Sequence, residues 1–393
     1  MNRRINSNSH SAEDALEDLL SEPIDAASKR RGELFSELIG ERPVVLFGAG
    51  GLGKKILKGL REKGIEPINF ADNDVSKHWE VIDGLTVLPP KEAARRFSNI
   101  AAFVVTVWSP HHRYLDTRQQ LWDLGCKSVA PFQVLLWRFS DVMLPYYQFG
   151  LPETILAKRS RVMEAYRLMH DEKSRAQYVA HVRWRLWLDF EGLPCPSEED
   201  QYFPADIISL HDDEVFVDAG AFCGDTIRDF INRAKAGFGR IVAYEPDPSN
   251  FYKLTEYISS LPIEIRRKIS AHNLAVGDSN RKVSFLATGT SAAMMQDDGS
   301  VEVDCIRMDE VLNGVQPSYI KFDIEGAESE ALVGVQALIE STMPKLAVSV
   351  YHKPDDLWEL PLFVHSLGRA YCFHLRTHEE DGRDVVAYAV LRA

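Results

Sequence analysis

From residue 213 to residue 352 the chain alternates short apolar runs, each ending near an acid or a glycine, with longer amphipathic stretches. That alternation restricts the fold more than any other feature. EVFVDAG reads as a strand, GDTIRDFINRA as a helix, RIVAYEP as a strand and SNFYKLTEYISS as a helix. ISAHNLAVGD, YIKFDIEG and PKLAVSVYH each read as a strand running into a loop, and FHLRTHEEDGRDVVAYAVLR as a closing hairpin across EEDGRD. Strands alternating with helices in this way predict a doubly wound, mainly parallel sheet, with the hairpin as an antiparallel addition at one edge.

A second, earlier alternation begins at PVVLFGAGGLGKKILKGLREKGIEPINFADND, which reads as strand, glycine turn, helix, strand. Its turn contains GxGxxG at Gly48, Gly50 and Gly53, and the helix carries Leu52, Ile56 and Leu60 at a spacing of four. Asp72 follows Gly53 by 19 residues, at the end of the next strand, where an acid would hold a ribose diol. Nucleotide binding and simple tight packing both account for such a turn. NIAAFVVTVW (99–108) reads as a buried parallel strand, and a helix over 116–124 and a strand near 128–130 finish a small Rossmann-like unit.

The expected fold class is therefore α/β, with two Rossmann-like domains joined by a helical bridge. The expected division is a loosely held arm over 1–35, an accessory domain over 36–140, the bridge over 141–205 and the larger domain over 206–393.

Charge and cysteine usage narrow the function. The 45 basic and 58 acidic residues leave a formal charge of −13, which argues against a nucleic-acid partner. The five cysteines are scattered, with no zinc-ligand spacing, as expected of reduced thiols. Cys223, inside the second glycine turn, reads as a small turn residue and not a reactive thiol. No apolar run approaches the ~20 residues of a spanning helix, so a cytoplasmic location is expected. The oligomeric state is not legible.

The second glycine turn has the richer surroundings. Asp218 ends a strand, Gly220 and Gly224 form the turn, and Asp225 and Thr226 start a helix with Thr226 as its expected cap. Glu245 ends the next strand, 27 residues after Asp218, where it would accept both hydroxyls of an adenosine ribose. Asp218 would hold an ammonium, or a carboxylate through water. A ligand with a ribose at one end and an amino acid at the other is S-adenosylmethionine. The alternative is that both acids merely complement helix N-termini.

A further acidic group lies in FDIEGAESEAL. Asp323 and Glu325 are placed to orient an acceptor, to act as base, or to hold a divalent cation, for which hard oxygen ligands suit Mg²⁺ or Ca²⁺. Glu328 falls in the first turn of the next helix, and Glu330 reads as a helix-start acid. His352 ends the strand LAVSVYH on the same rim, and its ordinary pKa suits a general base, although a capping or surface role fits equally. His378 reads as a solvated loop residue.

The segments FVDAGAFCGDT, VAYEPDPSNFYKL, NLAVGD, CIRMDEVL, YIKFDIEGAESEALVG and PKLAVSVYHKP together make residues 213–352 resemble the FkbM-type methyltransferase family. The resemblance implies a class I Rossmann-like methyltransferase sheet and transfer of a methyl group from S-adenosylmethionine. The acceptor would commonly be an oxygen on a sugar, glycan, lipid or secondary metabolite. Cofactor contacts are expected of Asp218, Gly220, Ala221, Gly224, Thr226, Glu245 and Asn273, and, from their strand-end placement, a catalytic role of Asp323, Glu325 and His352. The family's turn often has Asn where this chain has Phe222. The alternatives are a non-catalytic protein that binds a nucleotide or sugar nucleotide, or an NAD-dependent oxidoreductase using the first turn.

Overall fold

The computed structural model describes residues 11–234, 237–290, 294–295, 299, 301–312 and 314–392. Two compact units account for them. One comprises the chain up to Met163 with Ala176–Pro196 and Glu379–Arg383; the other comprises Glu164–Arg175, Ser197–His378 and the chain from Asp384. The expected bridge over 141–205 is divided between the two.

The first unit is built on six strands: β1 (Val44–Phe47), β2 (Asn69–Ala71), β3 (Val81–Ile82), β4 (Leu85–Leu88), β5 (Ala102–Val105) and β6 (Ser128–Pro131). Their order is β3-β4-β2-β1-β5-β6, parallel except for the β3–β4 pair. Every residue of β1 and β5 is buried, which is why these strands read as unbroken apolar runs. The helix Gly51–Glu62 buries Ile56, Leu57 and Leu60, close to the stripe that the spacing predicts. The arm needs correcting. Its residues 1–10 lie outside the described residues, but Ala12–Leu20 and Ile24–Leu38 are helices. Leu16, Leu19, Leu20 and Ala27 are buried, and Arg30 forms a bidentate pair with Glu22, so apolar burial holds this segment.

The second unit contains β7 (Val215–Ala219), β8 (Arg240–Tyr244), β9 (Ile269–His272), β10 (Ala275–Val276), β11 (Arg281–Leu286), β12 (Met294–Met295), β13 (Val301–Ile306), β14 (Tyr319–Phe322), β15 (Lys345–Ser349), β16 (Tyr371–Thr377) and β17 (Val385–Leu391). Seven of them form one sheet in the order β16-β17-β15-β14-β7-β8-β9. β17 runs antiparallel to both neighbours, so the antiparallel strand lies one place in from the edge and the last position belongs to β16. The other described pairings in this sheet are parallel.

From β7 the chain builds outward through β8 and β9, then returns to the opposite side of β7 with β14. The order therefore reverses between β7 and β14, and the crevice beyond their carboxyl ends is where ligands bind in open α/β sheets. ISAHNLAVGD is two strands in place of the one expected: β9 joins the large sheet, and β10 a four-stranded sheet of order β10-β13-β11-β12.

Candidate functional site

The second glycine turn sits at this crevice, and its conformation is forced by what surrounds it. Gly220 has φ 88°, and a Cβ there would lie 1.9 Å from the Asp323 carbonyl oxygen, so β7 and β14 can end side by side only with glycine here. The Gly220 and Ala221 amides both donate to the Tyr244 carbonyl at 3.0 Å. The Phe222 amide donates to Glu245 Oε2 at 2.8 Å, with Phe222 itself at φ 45°. At Phe222 the turn thus contacts Glu245 through the backbone and not the side chain. Glu245 Oε1 accepts from the Asp247 amide at 2.9 Å. Burial pushes the Glu245 carboxyl up to about 7.

Asn273, between β9 and β10, donates through Nδ2 to the Glu245 and Pro246 carbonyls at 2.8 and 3.0 Å, and so positions the strand end that carries Glu245. Thr226 is not the cap. The Arg228 amide donates to the Gly224 carbonyl, which puts Gly224 at the cap position and the buried Thr226 inside the helix Asp225–Ala234. Cys223 is half-buried and its thiol is pushed up by burial, in keeping with an unreactive turn residue. Beside the turn lies a small cleft lined among others by Gly220, Tyr244, Pro246, Ala275, Phe285 and Ile324.

Asp218 is wholly buried, and facing it is a residue that the sequence reading missed. Lys321, in β14, is the register partner of Asp218 across the sheet; its Nζ donates to Asp218 Oδ1 at 2.9 Å and to the Gly220 carbonyl at 2.7 Å. The available signal was a lysine in the middle of the apolar run YIKF. Burial pushes Asp218 up to about 6 against the pull of Lys321. Asp218 Oδ2 has no hydrogen-bond partner among the described residues.

Asp323, Glu325 and His352 do come together. Asp323 Oδ2 accepts from the Tyr202 hydroxyl at 2.7 Å, and Oδ1 lies 3.6 Å from His352 Nε2. Glu325 Oε1 lies 3.9 Å from the same nitrogen. Glu328, 1 % exposed, holds the other side of the ring, with Oε1 2.8 Å from Nδ1 and 3.0 Å from the Ile324 amide that donates to it. Tyr202 and the full role of Glu328 were missed, because neither spacing nor residue type marks them.

The acids change what the histidine does. Burial works against a charged imidazole, yet Glu328, Glu325 and Asp323 outweigh it and push His352 up to about 10. A ring held in its protonated form cannot accept another proton, which counts against the general-base expectation for His352. Burial pushes Glu325 up to about 7. For Asp323 burial again opposes ionisation, but Lys321, His352 and the Tyr202 hydroxyl prevail and hold it below the usual range. Glu330 stands apart, 3.5 Å from Lys353. His378 is half-buried and not solvated: its Nε2 is 2.8 Å from the Tyr388 hydroxyl, and burial lowers it to about 4.

In the first unit, Gly48 has φ 116° and its amide donates to the Ala71 carbonyl at 2.7 Å. A Cβ on Gly53 would lie 2.0 Å from the Gly48 carbonyl oxygen, whereas one on Gly50 would meet nothing within 4 Å. Asp72 Oδ2 accepts from the Ala49 amide at 2.8 Å and Oδ1 from the Asp74 amide at 2.9 Å. Among the described residues no helix is long and apolar enough to cross a membrane.

Comparison with known proteins matches the same region. Residues 218–375 fit the family model described as the methyltransferase FkbM domain. The solved structure of methyltransferase FkbM from Methylobacillus flagellatus KT is similar over 96% of this chain and 97% of that one, with 23% identity and a TM-score of 0.73, a likeness of fold. Precorrin-6y C5,15-methyltransferase from Geobacter metallireducens GS-15 covers 47% of this chain and 82% of its own, at 16% identity and a TM-score of 0.29. UDP-D-quinovosamine 4-dehydrogenase from Vibrio fischeri covers 23% and 75%, at 26% identity and a TM-score of 0.20. Scores that low support no argument. No curated protein matches the chain by sequence. A glycine turn, strand-end acids and the family-model match all fall in one stretch of the chain: residues 218–375 match the methyltransferase FkbM domain, and the fold is like that of a solved FkbM methyltransferase.

Proposed function

We propose that the chain transfers a methyl group from S-adenosylmethionine to a hydroxyl oxygen of a sugar, glycan or related small acceptor. The observation that carries this reading is the cleft beside Gly220, set where the strand order reverses and next to the buried carboxylate of Glu245. The residues fit the cofactor: the lining is largely apolar, Gly220 keeps the turn low, and Asp218 Oδ2 is a buried acceptor without a donor among the described residues. Glu245 would hold the ribose hydroxyls and Asp218, steadied by Lys321, the amino-acid end. Ala221 and Gly224 shape the turn, Thr226 is buried in the first turn of the helix that follows, and Asn273 positions Glu245.

When bound, S-adenosylmethionine supplies an already activated methyl group, so the protein's remaining work is positioning and proton removal. Asp323 is suited to the second task. Its side chain is 24% exposed at the rim, whereas that of His352 is wholly buried. Tyr202 donates to its Oδ2, and its Oδ1 lies 3.6 Å from His352 Nε2. Asp323 orients the acceptor hydroxyl and takes its proton, Glu325 helps to orient it, and His352 holds the acids in place.

Titration calorimetry with S-adenosylmethionine, followed by a screen of sugars and glycans for S-adenosylhomocysteine release, tests the reading; no binding at millimolar cofactor would overturn it. The pH dependence is a sharper check. A carboxylate binds the ribose diol, and Glu245 ionises only as pH rises through about 7. Affinity should therefore fall by about tenfold per pH unit below 7 and level off above it. Glu245→Gln should bind weakly at every pH and lose the dependence; a pH dependence that survives in this variant would assign it to another group.

A second binding role, for the first unit, is favoured by a repeated hydrogen-bond pattern. In both units the acid following the second strand accepts from a glycine-turn amide 23 residues earlier and from the amide two residues later. In both, the Asp at that later position accepts from the amide of a Ser two residues further on. The counterparts diverge at one place. Where Asp323 donates its amide to the end of β7, Thr106 does the same to the end of β1 and turns its hydroxyl to the Phe47 and Gly48 carbonyls. The first unit thus has a ribose acid and, at Gly50, an unfilled glycine beside a helix start, but no catalytic carboxylate in the equivalent position. Gly48, Gly50, Gly53 and Asp72 would hold the nucleoside end of a nucleotide without reacting with it. ADP, UDP and NAD⁺ titrated against the full chain should show at least one ligand that Asp72→Asn weakens by about 10–100-fold. No binding of any of the three would remove this role, and NAD⁺ binding coupled to reduction would favour an oxidoreductase instead.

A further inference from the structure

The acids around His352 are more numerous than its single charge requires. Asp323, Glu325 and Glu328 approach the ring at 3.6, 3.9 and 2.8 Å, and Asp356 lies near enough to interact electrostatically with both Glu328 and His352. The second oxygen of Glu328 is the informative atom. Glu328 is 1 % exposed, its Oε1 is engaged by His352 and the Ile324 amide, and its Oε2 is buried with no hydrogen-bond partner among the described residues. A buried carboxylate oxygen left without a donor costs stability unless something positive meets it.

One ligand atom from each of Asp323, Glu328 and His352 lies within 4.8 Å of the other two. Metal–ligand bonds of about 2.0–2.2 Å place two donors on one ion roughly 3–4 Å apart, so small side-chain adjustments close this set around a cation. The set is anchored from outside as metal sites are: Tyr202 donates to Asp323 Oδ2, and the Ile324 amide to Glu328 Oε1.

We propose that Asp323, Glu328 and His352 bind one divalent transition-metal cation, of which Mn²⁺ is the probe. An imidazole among the donors departs from the all-oxygen set of Asp323 and Glu325 that would suit Mg²⁺ or Ca²⁺. Glu325 is close enough to reach the ion or its water. On binding, the ion gives up waters, His352 coordinates through a neutral ring and its proton leaves to the buffer. The use of such an ion, to bind the acceptor hydroxyl and ease loss of its proton, rests on the methyl-transfer reading; its presence does not.

The test is a titration of the full-length protein with Mn²⁺ alone, following the loss of the free-ion signal by electron paramagnetic resonance. The expected result is saturation at one ion per chain. Asp323→Asn, which keeps an acceptor for Tyr202, and Glu328→Gln should each weaken binding by at least about 10–100-fold, the loss that follows from removing even an outer partner of a metal site. Glu330→Gln, outside the set, should bind as the unaltered chain does. No saturable binding at millimolar Mn²⁺, or binding that both ligand variants leave unchanged, would overturn the site. S-adenosylmethionine affinity measured on the same samples separates the two readings: cofactor binding without Mn²⁺ binding removes only the ion, whereas the absence of both removes the methyl-transfer reading as well.

Discussion

Replacing Asp323 by asparagine should lower turnover by about 10²–10⁴-fold, the range associated with removing a group that moves a proton in the transition state. Affinity for S-adenosylmethionine should be unchanged. The argument rests on where Asp323 lies. It follows β14 immediately, its amide donates to the Ala219 carbonyl at 3.1 Å, and its carbonyl is the atom that keeps residue 220 a glycine. Backbone groups therefore fix its position, and asparagine keeps all of them. What asparagine loses is charge and basicity at the rim. An asparagine oxygen still accepts from Tyr202, so the variant should fold. The measurement is S-adenosylhomocysteine release with a saturating acceptor, with calorimetry on the same preparation. Unchanged turnover would remove Asp323 as the base, and a comparable loss of cofactor affinity would mean that it acts on the turn and not on the acceptor.

The second large effect concerns stability. Lys321→Met should destabilise the second unit by about 3–5 kcal/mol, because it leaves a buried carboxylate without its cation. Lys321 and Asp218 are 2% and 0% exposed and 2.9 Å apart, so water cannot take the place of the lost ammonium. The same substitution removes the donor to the Gly220 carbonyl and loosens the turn. Adding Asp218→Leu to Lys321→Met should recover much of the loss, since replacing both ions by apolar groups removes the unpaired charge. Urea unfolding of the single and double variants reads this directly. A Lys321→Met variant as stable as the unaltered chain would show that Asp218 takes up a proton in place of its partner at little cost. The recovered double variant should still bind S-adenosylmethionine poorly if Asp218 holds the amino-acid end.

The elements were largely legible because their signals are local. β1 and β5 are buried along their whole length and therefore appear as uninterrupted apolar runs. Gly220 and Gly48 sit where the chain must turn at positive φ beside a neighbouring strand. Glu245 and Asp72 were legible for a similar reason: in a strand–turn–helix–strand unit, the spacing between turn and acid is set by the length of one helix and one strand. The arm was misjudged because its apolar residues are few, and their burial depends on surfaces that are remote in sequence. ISAHNLAVGD was read as one strand because nothing in its pattern marks the change of sheet around Asn273.

The chemistry of the rim was legible only in part. Residue type and strand-end position single out Asp323, Glu325 and His352, and the three do converge. The protonation of His352 was not legible, since a pKa depends on burial and on charges that lie close in space. Glu328, 24 residues before His352 in the chain, lies 2.8 Å from its ring. Lys321 was passed over because a lysine in an apolar run gains meaning only when the sheet register sets it opposite Asp218, 103 residues away.

By itself, then, the sequence determined the alternation of strand and helix, the two glycine turns and the acid that accompanies each. All of these follow from periodicity and spacing within about thirty residues. The tertiary structure alone decided which strand ends become neighbours, and with that the electrostatics of the rim: a histidine whose pKa neighbouring acids raise, a lysine sealed against an aspartate, and a glutamate oxygen with no partner among the described residues. The physical reason is that Coulomb interaction and desolvation act through space and burial, quantities that a linear order of residues does not contain.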